Sequence, residues 1–286
     1  MTELSLMTWN GFGAGQSVRA FFEWKGVADP HRFEHPQLMA AVSEADVLCI
    51  QEVFLSESEQ FFERLPHPHK VRDHNRTSWW SPLAFTGSGL GVASRLPLVK
   101  RAFRAFPPPH HGADRFARKG MFHVRVRVTD EVAVDVINCH LQAGVGPRAA
   151  AVRKRQLLEL HRFVDEVARV DGAVVVCGDM NVDGRAASGR VEYAELRRAL
   201  AGFVDLGAEA DSTTFHPHPE ANALAHRFYA SEGPQRLDYV LFRPGDAPLE
   251  LVDLARVLDR PLPPLNGEGP TFASDHFGLR ARWRLR

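Results

Sequence analysis

Residues 173–184 read AVVVCGDMNVDG, and the meaning of their polar half decides the fold. The Asp-x-Asn-x-Asp-Gly order that begins at Asp179 matches the opening of an EF-hand calcium loop. Such a loop requires a bidentate Glu at its twelfth position, and that position here is Arg190. It must also follow a helix, whereas AVVVCG is a short β-branched run of the kind that forms a buried strand. The calcium-loop reading fails on both counts. What remains is a carboxylate and an amide, Asp179 and Asn181, two residues apart just beyond a buried strand.

Outward from this strand the chain alternates elements. Residues 148–170 carry a helical stripe through Val152, Leu157, Leu160, Val164 and Val167, and a second helix is expected near 191–201. MFHVRVRV (121–128) and VAVDVINCHLQ (132–142) read as strands that Thr129-Asp130-Glu131 turns into a hairpin. Strands are also expected at 4–10, 46–54, 87–99, 236–242 and 277–285, with a helix over Pro36 to Ala45 and Ser56 capping another. The Pro- and His-rich stretches around 105–113 and 215–220 are loops. No linker divides the chain, so a single domain over 1–286 is expected. Its strand–helix–strand units and hairpins predict two packed mixed sheets flanked by helices.

Composition narrows the class. At 286 residues, with 44% apolar and 24% charged residues, the chain buries an ample core without disulfides or a structural metal. Lys plus Arg and Asp plus Glu number 35 each, so there is no global basic field to draw in nucleic acid. Cys49, Cys139 and Cys177 sit in apolar strand-like runs without C-x-x-C spacing and read as reduced, buried thiols. No basic segment followed by a long apolar stretch opens the chain, and no apolar run has the length of a spanning helix. A cytoplasmic location and a monomer are expected.

Polar residues gather at the strand ends: Asn10, Glu52, His140, Asp179 with Asn181, Asp238, and Asp275-His276. Strand ends are where sites assemble in α/β sheets. Each residue alone has a dull explanation as a turn or surface group, but the set is chemically coherent. Hard oxygen donors favour magnesium, which takes one or two carboxylates plus substrate phosphate oxygens. A His oriented by an Asp is a competent general base near neutral pH. His140 can donate a hydrogen bond to developing negative charge. Ser274-Asp275-His276 are sequence neighbours and make a poor Ser-His-Asp triad. His110-His111 and His216-Pro-His218 lack zinc spacing. GSGLG (87–91) leads into a strand rather than a helix, unlike a nucleotide-binding turn.

The order of TWN (8–10), QE (51–52), GDMN (178–181), LDYV (237–240) and SDH (274–276) resembles the endonuclease/exonuclease/phosphatase superfamily. That superfamily includes pancreatic deoxyribonuclease, abasic-site endonucleases, inositol polyphosphate 5-phosphatases and neutral sphingomyelinases. The resemblance runs from about residue 4 to the C-terminus and is specific as an ordered series. It implies an α/β fold, a four-layer α/β/β/α sandwich of two mixed sheets like that of pancreatic deoxyribonuclease. It also implies magnesium-dependent phosphoester hydrolysis, with Mn2+ or Ca2+ as substitutes. Carried over, Glu52 and Asn10 bind the metal, while Asp179 and Asn181 position water and phosphate. Asp275 supports the metal or His276, His276 is the general base oriented by Asp238, and His140 stabilises or protonates on the phosphate side.

Several stretches look specifically like the sphingomyelinase branch: Glu52-Val-Phe54, GSGLGVASRLPL, HLQAG (140–144) leading into R-x-x-Q-L, and the spacing Asp114…Lys119-Gly120. Thr214-Phe215 ahead of RLDYVL belongs to the same likeness. Lys119 then neutralises a substrate phosphate. The expected substrate is a phosphodiester, most directly a phospholipid, with peripheral membrane contact. Trp79-Trp80 and Phe85 are candidate lipid-touching residues. Nucleic acid is the alternative substrate, for which Arg115, Arg118, Lys119, Arg148, Arg153, Lys154 and Arg155 would supply a basic groove. A catalytically silent binding protein is the third reading.

Overall fold

A computed structural model of the chain describes residues 3–13, 30–73, 87–185, 188, 190–209, 213–265, 267 and 269–286. The expected contacts of Trp79, Trp80 and Phe85 lie outside the described residues. The elements run β1 (Glu3–Asn10), α1 (Pro36–Ser43), β2 (Val47–Gln51), α2 (Ser56–Arg64), β3 (His69–Arg72), β4 (Gly91–Ser94), β5 (Leu98–Ala105) and β6 (Gly120–Arg127). They continue β7 (Ala133–His140), α3 (Pro147–Val167), β8 (Ala173–Asp179), α4 (Val191–Ala199), β9 (Val204–Asp205), α5 (Ala223–Tyr229), β10 (Asp238–Arg243), β11 (Leu249–Val257) and β12 (Gly278–Leu285).

The strands form two six-stranded sheets, β11-β12-β1-β2-β4-β3 and β5-β6-β7-β8-β10-β9. Both are mixed, each with one parallel pair near its middle, β1 with β2 and β7 with β8. Alternate residues of the central strands feed different cores, because both faces of these strands are covered. Leu4, Leu6, Cys49, Val136, Val175 and Cys177 pack between the sheets. Met7, Trp9, Leu48 and Ile50 pack outward against Leu38, Val42, Phe61 and Phe62 of α1 and α2. Ile137, Val174 and Val176 pack outward against Leu157, Leu160 and Val164 of α3. The layers are therefore helix, sheet, sheet, helix, as the resemblance implied. Cys49, Cys139 and Cys177 are free and buried in these cores.

Three local expectations are corrected. The run 87–99 is not one strand: it breaks at Arg95–Pro97, so that β4 joins the first sheet and β5 the second. Ser56 is the first residue of α2 rather than its cap. The cap is Leu55, whose backbone N–H donates to the Ser58 hydroxyl at 3.1 Å. The strand expected from residue 236 begins at Asp238, which therefore opens β10.

A buried polar bridge joins the sheets beneath the strand ends. Gln51 donates to Asn138 Oδ1 at 2.7 Å, and Asn138 donates to the Ile50 and Gly91 carbonyls, both at 3.0 Å. Unmade, each of these hydrogen bonds would leave a buried polar group at a cost of about 1–3 kcal/mol. The bridge thus fixes how the end of β2 sits over the end of β7.

The parallel pairs decide where the site is. β1, β2, β7 and β8 all end at the same edge of the sandwich. β10 runs antiparallel to β8, with Asp238 opposite Asp179. β12 runs antiparallel to β1, with Leu279 opposite Thr8, which brings residues 275–276 to the end of β1. Gly178 makes the close approach of β8 to β7 possible: its φ is +128°, and a Cβ there would meet the Cys139 carbonyl oxygen at 2.0 Å. Gly178→Ala is expected to cost more than about 4 kcal/mol, combining backbone strain with overpacking. Gly202→Ala, at φ +86° with open space around it, is expected to cost about 1–2 kcal/mol. Thermal melts of the two variants check this ordering.

Candidate active site

The strand-end residues singled out in the sequence all meet at one cavity, on its wall or just under its floor. The cavity has a volume of about 710 Å³ and is lined by Glu52, Lys119, His140, Asp179, Asn181, Asp275 and His276. Asn10 and Asp238 lie just beneath, 1% and 0% exposed, and reach the lining residues by hydrogen bonds.

His276 Nδ1 donates to Asp238 Oδ2 at 2.8 Å, and both residues are buried. This bond leaves Nε2 facing the cavity, 3.9 Å from Asp179 Oδ2. Burial pushes the imidazole pKa down, but Asp238, Asp179 and Asp275 together outweigh it and hold His276 well above its ordinary value. Thr214 fixes the start of β10 from behind, its hydroxyl accepting from the Leu237 and Asp238 backbone N–H groups at 3.0 and 3.1 Å. Phe215 packs its ring against His276 at 5.3 Å. The sequence marks Thr214-Phe215 as a pair but does not show that the two residues brace Asp238 and His276.

Asp179 is the hub. Its Oδ1 accepts from the Asn181 backbone N–H at 2.8 Å, and its Oδ2 accepts from Asn10 Nδ2 at 3.0 Å. His140 Nε2 lies 3.4 Å from the same Oδ2. Burial, with Asp238 adding to it, raises Asp179 to about 6. Asn181 takes φ +51° and Glu52 φ +62°, left-handed conformations that non-glycine residues hold at a cost where a site requires them.

Asn10 Nδ2 also donates to Glu52 Oε1 at 3.2 Å, while Asn10 Oδ1 accepts from the Phe12 backbone N–H at 2.9 Å. In this arrangement Asn10 offers its amide nitrogen, not its oxygen, toward the carboxylates. Direct metal ligation by Asn10 requires the amide to turn. Asp275 is buried, its Oδ1 3.1 Å from the Ser274 hydroxyl oxygen. Burial, reinforced by the Glu52 charge, raises it to about 7.

Lys119 is 3% exposed and donates to His140 Nε2 at 2.8 Å and to the Leu141 carbonyl at 2.9 Å, with Asp114 Oδ2 at 2.9 Å. Burial, then Lys119 and His276, keep the His140 pKa well below its ordinary value. A neutral ring that accepts at Nε2 carries its proton on Nδ1. Nε2 thus meets Lys119 as an acceptor, and a donor role at Nε2 requires both release by Lys119 and a proton on that nitrogen.

Two groups of acids compete as cation sites. Asp179, Asp238 and His276 offer ligand atoms within 4.8 Å of one another; Asp238 Oδ2 and His276 Nδ1 already bond each other, while Asp238 Oδ1 has no hydrogen-bond partner among the described residues. Glu52 and Asp275 face the cavity. Asp275 stays high because burial and the Glu52 charge outweigh the His276 and Arg32 cations nearby. An oxygen-only donor set suits a hard divalent cation, so the residues fit magnesium. In metal-free protein, Asp238→Asn is expected to lower the His276 pKa, because it removes the carboxylate that stabilises the imidazolium. Ring-carbon NMR titration reads this; an unchanged or raised value would contradict the geometry.

A model of the Endonuclease/Exonuclease/phosphatase family matches residues 7–276. The chain is 31% identical over 187 residues to sphingomyelin phosphodiesterase 5 of Danio rerio, a match covering 55% of this chain and 33% of that protein. It is 26% identical over 271 residues to a putative neutral sphingomyelinase of Caenorhabditis elegans, covering 84% and 58%. The chain thus spans between a third and about six-tenths of these curated relatives. Among solved structures, sphingomyelinase C from Streptomyces griseocarneus superposes with a TM-score of 0.74 at 24% identity, covering 99% of each chain. A Staphylococcus aureus beta toxin mutant with bound magnesium ions gives 0.72 at 18%, covering 98% of this chain and 99% of that one. TDP2 of D. rerio complexed with single-strand DNA product gives 0.69 at 16%, covering 99% and 100%. No helix among the described residues is long and apolar enough to cross a membrane. By the match along most of its length, the chain belongs to the Endonuclease/Exonuclease/phosphatase family.

Proposed function

We propose that this chain is a single catalytic domain that hydrolyses a phosphodiester with magnesium, and that its substrate is a phospholipid of the sphingomyelin type. The observation that carries the reading is the buried His276–Asp238 pair, whose free ring nitrogen faces a cavity edged by Glu52, Asp275, Asp179 and Lys119. Asp238 holds the His276 tautomer, and once a bound cation offsets the carboxylates that favour the imidazolium, the neutral ring's Nε2 takes a proton from the attacking water. Asp179 and Asn181 orient that water and a phosphoryl oxygen, and the Lys119 ammonium with His140 faces the remaining phosphoryl charge. The water oxygen bonds to phosphorus as the bond to the alcohol oxygen breaks; the leaving oxygen takes up a proton from solvent, and His276 returns to solvent the proton it took from water. Magnesium, when held by Glu52 and Asp275, supplies positive charge and polarises a phosphoryl oxygen.

Two features favour lipid over nucleic acid. The cavity wall carries Phe12, Phe116, Phe215, Tyr229 and Leu237, an apolar lining suited to a lipid segment. Part of the expected basic groove is spent in ion pairs: Arg153 pairs with Glu192 at 2.7 Å, Lys154 with Glu195 at 2.7 Å, and Arg118 lies 3.6 Å from Asp73. The relatives named as sphingomyelinases point the same way. The likeness to TDP2 bears on the fold alone.

Glu52→Gln and His276→Ala are each expected to lower phosphodiester hydrolysis by at least about 10³-fold while the fold is retained. The assay compares phosphocholine release from sphingomyelin with plasmid nicking, in EDTA-treated protein restored with magnesium. Full activity of either variant would reject the assigned roles. Nicking without phosphocholine release would replace the lipid reading with a nuclease.

A further inference from the structure

Arg32 belongs to no sequence motif and has no part in the chemistry proposed for the site. It lies in a short 3-10 turn, Pro30–Glu34, and is among the largest fully buried side chains, 2% exposed. A buried guanidinium is costly unless its donors are satisfied. Arg32 meets this requirement with backbone carbonyls from both extremes of the chain. Nε donates to the Ala273 carbonyl at 3.0 Å, and Nη2 donates to the Gly11 carbonyl at 3.0 Å and the Phe12 carbonyl at 2.8 Å. Its guanidinium carbon lies 4.3 Å from the Phe33 ring centre and 5.9 Å from that of Phe12.

The two segments it joins both carry the site. Gly11 and Phe12 follow Asn10, which contacts Glu52 and Asp179, and Phe12 N–H holds the Asn10 amide oxygen. Ala273 precedes Ser274-Asp275-His276. The two segments also touch directly, the Ser274 hydroxyl donating to the Asn10 carbonyl at 2.6 Å. The loop after β1 packs hard on the end of β2 as well: Gly11 N–H donates to the Gln51 carbonyl at 3.0 Å, and a Cβ on Gly13 would meet the Glu52 carbonyl oxygen at 1.9 Å. One planar cation thus sits where the segments bearing Asn10, Glu52 and Asp275 converge.

We propose that Arg32 is a positioning residue that clamps the loop after β1 to the loop before β12 and so holds Glu52 and Asp275 in register for a divalent cation. The clamp itself follows from the contacts; its consequence for the cation rests on the proposed metal reading. A charge role alone and a positioning role predict opposite signs. Removing a nearby positive charge should tighten binding of a dication, whereas releasing the loops should weaken it. Arginine is required because its fork reaches three carbonyls in fixed directions, which the single ammonium of lysine does not reproduce.

The test uses Arg32→Met and Arg32→Lys, with Leu160→Ala as a destabilised control in a distant core. In EDTA, hydrogen exchange followed by mass spectrometry should speed up in peptides spanning 8–13 and 272–277 in both Arg32 variants and not in Leu160→Ala. Calorimetry with Mg2+ should show affinity weakened about tenfold or more, as for other residues that orient ligands without touching the metal. With bis(p-nitrophenyl) phosphate, kcat should fall by a similar factor while KM changes little. If Arg32→Met does not fold, Arg32→Lys carries the same test. Unchanged exchange in these peptides, or Mg2+ affinity equal to or tighter than that of the unaltered protein, would overturn the proposal. Faster exchange in both peptides, with no Mg2+ binding by the unaltered protein, would leave the clamp standing and refute its cation role together with the metal reading.

Discussion

Four carboxylates crowd one edge of the sandwich: Asp179, Asp238 and Asp275 are buried, and Glu52 lines the same cavity. Charges of one sign cannot share low-dielectric space without compensation. The fold answers in two ways. Asp238 is balanced by a 2.8 Å hydrogen bond from His276, whose pKa, against the lowering effect of burial, Asp238, Asp179 and Asp275 hold above its ordinary value. Asp179 and Asp275 stay raised, to about 6 and about 7. On the proposed function, a divalent cation relieves that residual imbalance, and the hydrogen-bonded imidazole is the base beside it.

Sheet polarity makes this crowding possible. Two parallel pairs deliver Asn10, Glu52, His140 and Asp179 to one edge, and two antiparallel neighbours begin there, β10 with Asp238 and β12 just after Asp275-His276. Beneath them the Gln51–Asn138 bridge sets one sheet against the other. Around them the supports are mostly side chains gripping backbone. Asn222, 0% exposed, donates to the Ser274 carbonyl at 2.9 Å while its oxygen caps α5. Arg32 grips the same loop one residue earlier. The buried Arg236–Asp205 pair, 2.9 Å, lies under the turn that carries Asn181 and Asp183.

The central strands and the site residues were legible because their signals are local. β-branched runs such as AVVVC announce buried strands, and a polar residue at the end of such a run is conspicuous. The edge strands were not legible. β3 is four residues of HKVR, and β11 mixes Glu, Asp and Arg into a strand with one covered face, so neither shows a clear period of two. α5 was missed although Asn222 stands at its N-cap, a signal that was available. Arg32 carried no signal at all, since its partners are carbonyls, and every residue has one. The state of His140 was also hidden. Its motif suggested a donor, but which nitrogen is free depends on Lys119, twenty-one positions away.

On the proposed function, the cation belongs to Glu52 and Asp275 and the Asp238–His276 pair remains metal-free. Anomalous diffraction from crystals soaked in Mn2+ distinguishes the two sites. The expected result is a peak against the carboxylates of Glu52 and Asp275, with the His276–Asp238 hydrogen bond intact. A peak coordinated by Asp179, Asp238 and His276, with no density between Glu52 and Asp275, would contradict it.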